Sequence, residues 1–95
     1  MQVGKIRECL LGIIRELDNV NWNVACKLFT NFERLEVFIR ELYEMPHQPY
    51  VLQKIYIHDF ILTEINLVNL FHLTDITISD LNYDLFMSKF LRVMD

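Results

Sequence analysis

Glycine occurs only twice in these 95 residues, at Gly4 and Gly12, and proline only twice, at Pro46 and Pro49. Two isolated glycines cannot build a phosphate-cradling loop or a dinucleotide fingerprint. Serine is equally scarce. Ser79 and Ser88 have no glycine neighbour, so neither occupies a nucleophile-elbow context. The two cysteines, Cys9 and Cys26, are too few for a disulfide scaffold. They read as buried free thiols, which suits a reducing compartment and a cytoplasmic protein. The start of the chain has no signal-peptide pattern. The uncharged run Ile65–Leu73 falls well short of the roughly 18 apolar residues that span a bilayer. No basic cluster exists either: the nine Lys and Arg residues are never adjacent, and 13 Asp and Glu residues leave a net charge of -4. A nucleic-acid backbone wants a concentrated basic face, so the balance favours a protein partner, a basic one in particular.

Chemistry is equally sparse. His47, His58 and His72 are dispersed. His58 adjoins Asp59, but neighbouring strand residues would point to opposite faces. The carboxylate pairs Asp75/Asp80 and Asp80/Asp84 read as surface charge. Metal ligation needs His or Cys at short spacing, which is missing here. Neither an enzyme activity nor a cofactor is expected.

Apolar residues make up 53% of the chain, enough for a core in one domain spanning 1–95. Val3, Ile6, Leu10, Ile13 and Leu17 recur at spacings of three and four, predicting an amphipathic helix over 2–17. Asn21 or Asn23 would cap a second helix from about Trp22 to Phe32. Trp22 reads as a plug between the first helix and the core. Pro49 would terminate a helix arriving from Glu44.

The second half carries an internal echo. Leu52, Ile55, Ile57, Asp59 and Phe60 match Leu73, Ile76, Ile78, Asp80 and Leu81 at an offset of 21, in the frame L-x-x-I-x-I-x-D-[FL]. A weaker copy starts at Phe32, with Leu35 and Val37. Alternation around Ile55–Ile57 and Ile76–Ile78 is a strand signal. This frame resembles the short leucine-rich repeat, although Arg40, Phe60 and Leu81 stand where that family usually has asparagine. The resemblance implies a small α/β solenoid, with a helical cap over 1–31 and about three repeats of 20–21 residues over 32–95. It also implies a concave, protein-binding strand face. Its columns would hold Arg34, Lys54 and Asp75, then Glu36, Tyr56 and Thr77, then Phe38, His58 and Ser79. Tyr56 and Phe38 would be the aromatic anchors.

The alternative is an all-α four-helix bundle with helices near 2–17, 22–44, 50–71 and 75–93. Scarce Gly and Pro favour it, as does the stripe Ala25, Leu28, Phe29, Phe32, Leu35, Phe38, Ile39, Leu42. Against it, a helix through 50–71 would be apolar all round. Two functions accompany these folds. One is a non-enzymatic binding module, such as an inhibitor, an immunity-type protein or a small adaptor. The other is a structural or assembly protein acting as a homo-oligomer.

Overall fold

A computed structural model describes residues 3–17, 22–46 and 50–76, together with 88, 89 and 92. The element order is α1 (Val3–Leu17), α2 (Trp22–Ala25), α3 (Phe32–Glu44) and α4 (Tyr50–His72). No strand occurs among the described residues. The leucine-rich solenoid is therefore corrected to an all-α arrangement close to the bundle alternative. The segment 35–38, read as a strand, lies inside α3, and 55–57 lies inside α4. The two copies of the repeat frame are not structurally equivalent: one runs within α4, the other starts in the turn that follows it.

The physical reason is continuity. Nothing between Tyr50 and His72 can interrupt a helix, since this stretch holds neither Gly nor Pro. Tertiary burial outweighs the modest helix penalty of its β-branched residues. Ile55 and Ile57, which a strand would place on one face, are split by helical geometry: Ile57 is fully buried, whereas Ile55 is 55% exposed. Ile76 is buried just beyond α4. Ile78 and the core of the predicted fourth helix lie outside the described residues, although 88, 89 and 92 are helical.

α1 buries Ile6, Leu10, Leu11, Ile13 and Ile14 on one side. The predicted helix from Trp22 stops after one turn, at Ala25. Leu28 N–H donates to the Ala25 carbonyl at 2.9 Å, and Phe29 turns the chain with φ of 59° while itself buried. A bulky residue in this left-handed region carries strain, here offset by complete burial of its ring. Arg7 of α1 secures the turn, donating from Nε to the Leu28 carbonyl at 3.2 Å and from its guanidinium to the Cys26 carbonyl. Cys26 is exposed there and Cys9 half-buried, so the expectation of two buried thiols is corrected; both are free.

A fresh start at α3 follows from Asn31, whose Oδ1 accepts from Arg34 N–H at 3.2 Å as an N-cap. Glu33 adds a carboxylate to the first turn. α3 ends at Met45, held in an extended conformation immediately before Pro46. Pro46, not Pro49, sets this stop. Gln53, buried early in α4, donates to the Pro46 carbonyl at 3.1 Å and ties the two helices together. α1 packs on α2 and α3, and α3 packs on α4. One core results, with Leu35, Phe38, Ile39 and Leu42 of α3 meeting Ile57, Ile61, Ile65 and Val68 of α4.

The end of α4 is closed by a clasp. Leu73 takes φ of 50° and Thr74 N–H reaches back to the Asn69 carbonyl at 3.3 Å, a Schellman-type closure with leucine where glycine is usual. The Asn69 side chain accepts from Thr74 Oγ1 at 2.8 Å and Ile76 N–H at 3.0 Å, and donates to the Ile76 carbonyl at 3.0 Å.

Candidate functional site

α3 and α4 run antiparallel. Their cross-pairs establish this, because Arg34 meets Glu64, Phe38 meets Phe60 and Glu41 meets Tyr56. The pairs lie three or four residues apart along each helix, which is one turn. Between the two helices opens a groove of about 770 Å³.

Its floor is aromatic. Phe38 and Phe60 stack at 4.1 Å between ring centroids, Phe38 and Tyr56 at 5.3 Å, and Phe29 joins Phe60 at 5.7 Å. The order Phe29–Phe60–Phe38–Tyr56 makes one column shared by three segments of the chain. Val37 forms part of one wall and is 48% exposed; Thr63 stands opposite on α4.

The rim is charged and unbalanced. Glu33, Asp59 and Glu64 stand against Arg34, three carboxylates to one guanidinium. Arg34 spends its charge locally, donating to Glu64 Oε2 at 2.8 Å. Tyr56 O–H donates to Glu41 Oε2 at 2.6 Å. Burial, then this hydrogen bond and the carboxylate's charge, push the Tyr56 hydroxyl well above the ordinary tyrosine range.

Among the described residues, neither a histidine nor a cysteine lines the groove. The Cys9 thiol sits away from it on α1. Burial raises its pKa, Lys89 opposes that rise, Glu8 adds to it and Arg92 opposes it. Among the described residues, no group of three His, Cys, Asp or Glu side chains is placed to hold a metal. What the groove can do is hold an apolar surface and favour positive charge beside it.

The columns of the predicted binding face depended on neighbouring strands, and fall with the solenoid. Of their nine residues, the structure brings Arg34, Phe38 and Tyr56 together at the groove. Phe38 is not an exposed anchor but a 2% exposed core ring. Lys54 and His58 lie on the flank, lining a shallow dent of about 190 Å³ with Ile55 and Asp59. Glu36 pairs with Arg40 at 3.0 Å, outside the groove lining. Asp75 is exposed past the end of α4. Thr77 and Ser79 lie outside the described residues, as do Asp80 and Asp84 and the side chain of Trp22.

The strand reading missed Glu33, Val37, Asp59, Phe60, Thr63 and Glu64. Helical spacing would have found them: 33/34, 37/38 and 41 fall on successive turns of α3, as do 56, 59/60 and 63/64 of α4. No helix among the described residues is long and apolar enough to cross a membrane. Comparison with protein-family models, with curated proteins and with solved structures found no match to this chain.

Proposed function

We propose that this chain is a non-enzymatic helical interaction module that binds another protein through the α3–α4 groove. The observation that carries this reading is the groove itself: an open valley with an aromatic floor and a charged rim, whose described lining residues include no nucleophile–base pair. Aromatic surface framed by polar groups is what interface centres are made of. An inhibitor or adaptor is the role such a module would play. Two free cysteines support a reducing compartment, the cytoplasm.

A second reading is a helical assembly protein that forms homo-oligomers. It is favoured by the outer side of α4, where Val51, Leu52, Ile55 and Leu70 are each more than half exposed. A photo-crosslinking amino acid placed at Val37 or at Ile55, in the native host, separates the two. Capture of a different protein from Val37 supports the module. Capture of the chain itself from Ile55 alone supports the oligomer. No capture at Val37 overturns the groove as the working surface.

A further inference from the structure

The groove's shape and charge also narrow its occupant. We infer that it takes an amphipathic helix of a partner protein, with an apolar face on the floor and arginine or lysine along one edge. This rests on the reading of the groove as a protein-binding surface.

The groove lies open along the two helices rather than closing around a cavity. A small molecule would leave much of its surface in water, whereas ligand sites bury most of theirs. Two antiparallel helices side by side present a valley of the kind a third helix fills, at interaxial distances of about 8–10 Å. The lining runs from Glu33 to Phe38 on α3 and from Tyr56 to Glu64 on α4, so the longer wall offers about 12 Å, roughly two turns of a docked helix.

Charge selects the edge. Arg34 is already matched by Glu64, which leaves Glu33 and Asp59, both exposed, as the other charges among the groove's described lining residues. A docked guanidinium or ammonium would meet opposite charge there. A nucleic acid would be repelled by the same charges. The last described part of this chain is not the occupant. Lys89 Nζ lies 3.7 Å from the position a Cβ on Gly12 would take, which places it against α1.

The test uses the whole chain and two designed helical peptides with identical leucine faces. One carries Lys and Arg along its edges, the other Glu. Fluorescence anisotropy should show the basic peptide binding at least about tenfold more tightly, weakening as salt rises from about 50 to about 500 mM. The double variant Glu33→Lys/Asp59→Lys should lose that preference. Val37→Asp should weaken the basic peptide about tenfold even though it adds negative charge, because it breaks the apolar wall. Circular dichroism confirms that each variant is folded. Equal binding of both peptides overturns the basic partner but leaves the groove as a docking site. Binding of neither overturns the helical occupant, and the Val37 crosslink then judges the functional reading separately. Basic-peptide binding untouched by Val37→Asp removes the groove, and both readings with it.

Discussion

Arg34 and Glu64 join α3 to α4 at 2.8 Å, yet they sit in different environments: the arginine side chain is 48% exposed and the carboxylate 5%. The two partners are therefore not equivalent. Arg34→Ala leaves a buried carboxylate without its donor, a loss of about 1–3 kcal/mol. Glu64→Leu removes the buried charge and frees the arginine to water, so it should be near neutral or stabilising. Urea unfolding of both variants checks the asymmetry. Equal losses would mean the pair is worth what its contact is worth and burial adds nothing.

The second prediction separates the helical placement from the strand one, which would bury Ile55 with Ile57 and expose Phe38. Phe38→Ala should cost about 3–5 kcal/mol, because it empties the middle of the aromatic column. Ile57→Ala should cost about 2–5 kcal/mol and Ile55→Ala less than about 1 kcal/mol, since only Ile57 is buried. Thermal or chemical unfolding distinguishes the ranks. A large loss at Ile55 would contradict the helical placement of α4.

Tyr56 predicts an alkaline effect. Its hydroxyl has a raised pKa in the folded chain, so the folded state holds the proton more tightly than the unfolded state. The associated stability is fully present below the unfolded tyrosine pKa of about 10 and declines as pH rises above it. Tyr56→Phe removes both the hydrogen bond and the titration. At pH 7 the variant should be less stable by about 0.5–1.5 kcal/mol. Above about pH 10 the gap should narrow. Melting temperatures of the two proteins between pH 7 and about pH 11 supply the comparison. A constant gap would sink the assignment.

The clasp after α4 makes opposite predictions at two neighbouring residues. Asn69→Ala removes three side-chain hydrogen bonds to 74–76 and should cost about 2–3 kcal/mol. Leu73→Gly relieves a left-handed leucine that is 93% exposed, so little packing is lost. It should stabilise by up to about 1 kcal/mol. Destabilisation by Leu73→Gly would show that its exposed side chain has a contact in the folded protein.

α1 was legible because its apolar stripe has one period and its other faces are charged. α4 is legible only in the bundle alternative, because apolar residues circle it: Ile57, Ile61 and Ile65 face the core while Leu52, Ile55 and Leu70 face out. With no polar side, the positions of a helix also satisfy a repeat frame, and the period ceases to discriminate. Scarce glycine and proline held the better information, since a solenoid must turn every 20 residues or so and this chain lacks the means. The break between α2 and α3 was hidden for a different reason. It depends on Phe29 accepting a left-handed backbone in exchange for burial, a tertiary effect with no local signature. A strand reading of α3 and α4 hides the groove, because its residues gather only at a spacing of three and four.

The central place of α3, packed on α1 at one side and on α4 at the other, governs how the protein opens. Among the described helices α4 can detach by losing its interface with α3, while α3 cannot be released without dissolving both of its own. Amide hydrogens in the middle of α3, around Phe38 and Ile39, should therefore exchange with solvent only through global unfolding. Those near the outer ends of α1 and α4 should exchange through smaller excursions, so that the wall of the groove carried by α3 persists while its α4 side breathes.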